Sequence, residues 1–426
     1  MSNTSADESQ AEGSYEDRKE SDASQADLVK RWLAEVDLSA SQEKDWRKEA
    51  ESARQIYRAE EKGEGQRFNI LFSSVQTSSA SLYNSTPSPD VRTRYNDDAK
   101  IARIAGQAVE RVLAYSVDSY PFDDVLKNSV QDRELAGRGQ ARVRYVPYTD
   151  PSSGKVYQEV GCEHVQWKHY GFGPCTSSAD RPWEYFEHFL TREQLMELAP
   201  QKGGSIKLDF SVLADGKGTV KPDAPGNVYK RARVLEIWDK QTRKVYWIAP
   251  STPEAPIRVD DDPLGLMGFF PTPPPLYAIR TSDSTVPVCP YRIILPLVEE
   301  LEEVTVRIQA LVRVCRWRGF RHPAIPFEKL EEADDGELVA PLDGAELLAL
   351  MSVQGQDLSK FIWLMPIDQL IKVLQQLYLQ REQIKGTIFE VSGLADIMRG
   401  QSDPNETLGA KEIKANFGTM RLQDAQ

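Results

Sequence analysis

No apolar run in this chain approaches the ~20 residues that a membrane-spanning helix needs. The N-terminus has neither a basic n-region nor an apolar h-region, so neither a secreted precursor nor an integral membrane protein is expected. Histidine is scarce. His164, His169, His188 and His322 are the whole supply, which leaves little material for imidazole acid–base catalysis. Cys162, Cys175, Cys289 and Cys315 form no CxxC pair, as befits free thiols in a reducing compartment. Also missing are a glycine-rich phosphate loop, a G-x-S-x-G elbow, an H-E-x-x-H helix and a D-x-D-x-D-G calcium loop. These absences predict a non-enzymatic chain with no cofactor and no metal.

Positive charge is in deficit as well. The chain has 52 Lys and Arg against 65 Asp and Glu, a formal net charge of -13, where an ordinary nucleic-acid binder displays a basic face. A protein that lets DNA slide past should not grip phosphates, so the balance excludes gripping rather than DNA. Part of the acidity lies before residue 27, where Asp7, Glu8, Glu12, Glu16, Asp17, Glu20 and Asp22 meet only Arg18 and Lys19. With so few large apolar residues beside them, residues 1–27 are expected to be a disordered tail.

What is present is ample. At 426 residues and 40% hydrophobic content, the chain is long enough for two or three domains with a real core. Leu28, Trp32, Val36, Trp46, Ala50 and Tyr57 recur at helical spacing over 27–62, and a second helix is expected over 67–84 before the Pro87–Pro89 turn. Further helices are expected over 98–115 and 122–135, ended by Gly137-Arg-Gly139. The period then becomes two. Strands are expected at 141–146, 155–160, 165–170 and 185–190 in a half-buried sheet, followed by a loop over 200–229. A hairpin is expected from 232–240 and 244–249, and residues 271–275 read as a stiff proline connector. Helical spacing returns with Leu297, Leu301, Val304, Ile308, Leu311 and Cys315, about 22 residues or roughly 33 Å. Val298, Val306 and Val312 lie off that stripe, giving the helix apolar residues on more than one side. A second long helix runs from Ile367 through Leu370, Leu374, Leu377, Arg381, Ile384 and Ile388. The fold class is α+β.

Several constellations invite a site and then decline it. Cys162, His164, His169 and Cys175 space as C-x-H-x4-H-x5-C, which matches no common zinc scheme, so they read as ordinary sheet residues. Asp260-Asp-Asp262 reads as solvated loop charge, and Arg138, Arg142 and Arg144 as a solvent-facing strand edge. Cys315-Arg-Trp-Arg-Gly-Phe-Arg321 is the most basic short run; it either complements a helix C-terminus or forms an interaction surface.

The richest stretch comes late. Ser392-Gly-Leu-Ala-Asp-Ile-Met-Arg-Gly400 leads into Asp403-Pro404, where Asp403 is a good N-cap, Pro404 fits the first helical turn and Glu406 completes a capping box. Ile413, Phe417 and Met420 then share a face beside Lys411, Lys414 and Arg421. The pattern has no stop signal before Gln426, so the chain is expected to be the larger part of a longer protein.

Four segments in order resemble the portal proteins, or head-to-tail connectors, of tailed bacteriophages, particularly the long podovirus-like portals. They are Phe68–Phe72 with Leu82–Asn84 and Pro87–Arg92; Leu135–Gly139 with Arg142–Pro147; Ile237–Lys240 with Val245–Ile248; and Ser392–Gly400 with Glu406-Thr407 and Phe417–Gln423. The likeness spans nearly everything from about residue 28 onward. It implies a portal fold with a mixed helix/sheet wing at 28–292, stem helices at 293–318 and 367–390, and a small α/β clip at 319–366. It also implies a tunnel loop at 391–403 and the start of a long wing helix at 404–426. The C-terminal crown or barrel of the family is absent from this chain.

The function so implied is a homo-oligomeric ring, a dodecamer in the family, at one capsid vertex of the virion. Such a ring is made in the host bacterial cytoplasm and serves genome packaging and DNA ejection. Its partners would be terminase, then tail adaptor or head-completion proteins, capsid and scaffolding proteins, and the double-stranded DNA in its channel; no membrane is involved. Arg399, Ser402, Asn405, Lys411 and Lys414 would face that DNA, and Trp317, Arg318, Arg321 and Trp363 would border the clip. The alternatives are a terminase-like DNA-processing enzyme and a monomeric structural or scaffolding protein.

Overall fold

A computed structural model describes residues 5–60, 69–93, 99–211, 230–314, 319–321, 362–364 and 367–393, with side chains from residue 24 onward except at 146, 148, 159, 211, 314, 319–321, 362–364 and 367. The chain is mixed α+β and divides into two compact units. The first comprises residues 1–62, 69–294 and 392–426, and the second residues 63–68 and 295–391.

The first unit opens on α1 (Ser5–Gln42) and α2 (Lys44–Tyr57). The acidic segment expected to be disordered is therefore helical from Ser5. Its Glu, Ala, Lys and Gln content favours helix, and the packed second half of α1 supplies a nucleus from which the helix extends. The single helix expected over 27–62 breaks at Glu43, whose side chain is drawn inward by two arginines. Next come α3 (Ile70–Leu82), α4 (Lys100–Ser119) and α5 (Phe122–Ala136). Asn69 caps α3 by accepting from the Phe72 N–H at 3.0 Å and donates to the Ile56 carbonyl at 2.8 Å, locking the entry to α3 onto the end of α2.

Gly137 ends α5 with φ +92°, and its N–H donates to the Arg133 carbonyl. Two residues on, a Cβ on Gly139 would stand 1.9 Å from the Ser129 carbonyl oxygen, so the strand leaves α5 closer than any side chain allows. That strand, β1 (Arg138–Thr149), pairs antiparallel with β2 (Val156–Val165) along its length, with Tyr145 opposite Val160. The turn between them is pinned by Asp150, which accepts from the Ser152 N–H and from both serine hydroxyls, while Gly154 takes φ +66°.

The larger sheet is antiparallel, built from β3 (Tyr170–Phe172), β4 (Trp183–Leu190), β6 (Lys230–Asp239), β7 (Lys244–Ile248) and β8 (Arg258–Asp261) in that order. The short β5 (Phe210–Ser211) adds to β6. It is not half-buried as expected. Trp183, Tyr185, Leu235, Ile237 and Ile248 pack against Val29, Trp32 and Val36 of α1. Phe186, Trp238 and Val245 alternate onto the other face, where Phe269 covers them. The strand expected at 165–170 is instead the end of β2 and a 3₁₀ turn (Trp167–His169), because Trp167 turns in to meet Trp46 edge-on at 5.5 Å. α6 (Arg192–Leu198) closes one side with a full capping box from Thr191 and Gln194. β9 (Leu276–Tyr277) pairs with the start of β1.

The second unit is simpler. Helix α7 (Pro290–Val314) begins in the first unit and enters the second at Leu295, with Pro296 inside it. β10 (Gly319–Arg321) and β11 (Ile362–Leu364) pair antiparallel, and α8 (Ile367–Ser392) follows. Leu301, Val304 and Ile308 are buried on one face of α7, and Leu377, Ile384 and Ile388 on one face of α8. Gln380 of α8 donates to Glu300 of α7 at 3.4 Å. Gly393 takes φ +75° just past α8, the left-handed position that ends a helix.

Candidate functional site

The residues with the strongest electrostatics sit in the first unit, between its two sheets. Arg138 is fully buried and donates to Glu43, to the Tyr170 carbonyl at 3.0 Å and to the Trp167 carbonyl at 3.3 Å, with its guanidinium 4.5 Å from the Trp46 ring. Arg47 donates to the same Glu43 carboxylate at 2.7 Å. Arg142 reaches Glu236 at 2.8 Å and Glu163 at 2.5 Å, and Arg144 donates to the other Glu163 oxygen at 2.7 Å. The three arginines read from sequence as a solvent-facing edge are thus, for Arg138 and Arg142, core residues. Their charge is neutralised by partners 19 to 95 positions away, which a strand's own alternation does not disclose.

Two carboxylates on one sheet face are shifted in opposite directions. Burial would raise Glu236, but Arg142 and His188 beside it outweigh that and hold it at about 2. Its oxygens also accept from His188 at 2.7 Å and from the Trp238 indole at 2.8 Å. Burial pushes Glu184 up to about 7, against the pull of Arg181. One Glu184 oxygen takes donors from Tyr170 at 3.0 Å, Arg181 at 2.9 Å and Thr272 at 2.6 Å, while the other is buried without a partner.

The remaining described histidines are tied in the same way. His164 pairs with Asp132 and His169 with Glu187, each at 2.7 Å, so neither is free to join Cys162 or Cys175 around a metal. Among the described residues no group of three or more His, Cys, Asp and Glu gathers as a metal site. Asp260 and Asp262 are bound too, by Arg258 and Arg243, and Asp260 and Asp261 lie in strand β8, not in a loop. A cleft of about 460 Å³ beside α2 is lined by Arg54, Arg58, Lys168 and His164. Arg54, Arg58 and His164 already have carboxylate partners in Glu51, Glu60 and Asp132. Ion pairs thus cross-link this layer throughout.

The second unit holds the residues singled out at the clip border. β10 pairs with β11 so that Phe320 faces Trp363 and Arg321 faces Ile362. In chain order this two-stranded pair thus falls between the two long helices. Arg321 and Trp363, 42 positions apart in sequence, lie on paired strands at successive register positions, not opposite one another. Trp317 and Arg318 lie outside the described residues, as do Arg399, Ser402, Asn405, Lys411 and Lys414.

Both long helices keep large apolar residues in solvent as well as in their cores. On α7 these are Ile293, Val306 and Val312, and on α8 Ile371, Val373, Tyr378, Leu379 and Val391. Val298, expected off the main stripe, is buried. No helix among the described residues is long and apolar enough to cross a membrane. Neither a scan against protein-family models nor a search of curated proteins finds a match to the chain.

Proposed function

We propose that the chain is a bacteriophage portal subunit, one copy of a ring through which terminase drives genomic DNA and to which the tail is later joined. The observation that carries this reading is the helix–strand–strand–helix order of the second unit, with apolar residues left bare on both helices. A channel wall of repeated helices needs apolar surface on more than one side of each, because every helix meets partners within its own chain and in its neighbours. In this reading α7 and α8 are stem helices, the paired β10 and β11 close the base of the clip, and residues 322–361 form the surface that motor and adaptors grip in turn. The first unit is the wing, whose buried ion pairs keep it rigid under the load of packing.

The mechanism is architectural. A ring of chains each carrying a net charge of -13 repels DNA from its bulk, which favours passage over retention. A few exchangeable phosphate contacts from the loop at 391–403, Arg399 first among them, would guide the duplex without trapping it. Sedimentation of the purified chain with a parallel ATPase assay tests the reading. Ring-sized particles without ATP hydrolysis are expected, and turnover by the chain alone would instead favour a DNA-processing enzyme.

A further inference from the structure

Helix α4 breaks the rule that an amphipathic helix turns its apolar stripe to its own core. It has no buried residue at all. Its partly covered side is Ala102, Gly106, Glu110, Ala114 and Val117, small for the most part, with Gly106 close to the Val91 carbonyl. The apolar stripe is on the open side: Ile101, Ile104, Val112 and Tyr115 are 83%, 54%, 64% and 65% exposed, with Ala108 exposed between them. Spacings of three, four, four and three residues put these five on one line.

The ribbon of β1 and β2, against which α4 lies, has a bare face of its own. Val143, Tyr145, Val156 and Val160 share one side of the ladder and are 40%, 46%, 60% and 55% exposed. The opposite side carries the Arg142–Glu163–Arg144 cluster and an exposed Tyr157, so the exposed aliphatic residues are gathered on the first side. The helix stripe and the ribbon face each offer a few hundred Å² of apolar side chain, and one packed on the other buries roughly 1,000 Å², the size from which a specific protein–protein contact is recognised.

We propose that a second copy of this chain covers both faces, the α4 stripe of one copy packing on the apolar side of the next copy's β1–β2 ribbon. Helix on helix would leave every ribbon bare, and ribbon on ribbon would leave every helix bare. Helix on ribbon covers both with one kind of contact. Made head to tail, as the ring reading requires, that contact repeats from copy to copy until the ring closes. The inference rests on the reading of the chain as a ring subunit and names a surface by which copies meet.

Two double variants test it: Ile104→Glu with Val112→Glu on the helix, and Tyr145→Glu with Val160→Glu on the ribbon. All four residues are exposed, so each variant should keep the wild-type melting temperature of the single chain. Light scattering after size exclusion should find assembled wild type, and each variant alone at one-chain mass, with association weakened at least about 100-fold. An equimolar mixture of the two variants should form two-chain particles and stop, since only one intact helix can meet one intact ribbon. That pair also shows that both variants are folded. Rings that persist in either variant would overturn the pairing while leaving the ring reading intact, as would a ribbon variant that assembles normally beside a helix variant that does not. A wild-type chain that never leaves one-chain mass would overturn both.

Discussion

Glu184 and Glu236 are both buried on the same face of one sheet, yet one is held near 7 and the other near 2. The difference is partnership. Glu236 faces Arg142 and His188, whereas Glu184 crowds its donors on one oxygen and leaves the other dry. For Glu184 the folded value exceeds the unfolded one, so its ionisation weakens the fold increasingly as pH rises from about 4.5 to 7. The Glu184→Gln variant should therefore gain melting temperature relative to wild type between pH 5 and pH 8; a pH-independent difference would contradict the assignment. For Glu236 the folded value is lower, so its contribution is complete above about 4.5 and is lost as pH falls toward 2. Glu236→Gln should cost about 3 kcal/mol in denaturant unfolding at pH 7, the low end for a broken buried pair because Arg142 keeps Glu163, and the loss should shrink below pH 4. None of this was legible in the sequence. Arg142 and Arg144 have the alternation of an exposed edge, and only the fold brings Glu163 and Glu236 to them.

At the level of elements, periodicity carried far. The helices at 67–84, 98–115 and 122–135, the hairpin across 241–243 and both long C-terminal helices are present with ends shifted by a few residues, whereas the helix expected over 27–62 is two helices, the first beginning at Ser5. The reading failed where tertiary contacts overrode a local pattern. Glu43 interrupts the first helix to reach Arg138, Trp167 pulls a strand into a 3₁₀ turn, and β8 and β9 are too short to announce themselves. The Gly137-Arg-Gly139 break was visible, but its reason is close packing rather than flexibility. Gly139→Ala should cost about 2–3 kcal/mol because the methyl meets the Ser129 carbonyl in α5. Gly268→Ala, where nothing lies within 4 Å, should be neutral within about 0.5 kcal/mol. Equal losses at the two positions, measured by thermal unfolding, would refute the packing argument.

For the whole molecule, the proposed portal role draws on the order of its parts and on how much apolar surface those parts leave bare. The sequence placed the two long helices and their extra apolar residues; it did not reveal that α4 presents its stripe outward, because periodicity locates a face without saying what covers it. Arg399, the residue chosen for DNA contact, should matter to passage and not to assembly. Arg399→Ala should leave rings unchanged and lower packaged genomes several-fold in a complementation assay, since in the proposed role it would remove one phosphate contact from every copy. The most direct test is an electron-microscope image of the purified wild-type chain. Rings with a central hole wide enough for duplex DNA are the predicted result, and uniform single-chain particles at every concentration would contradict the account.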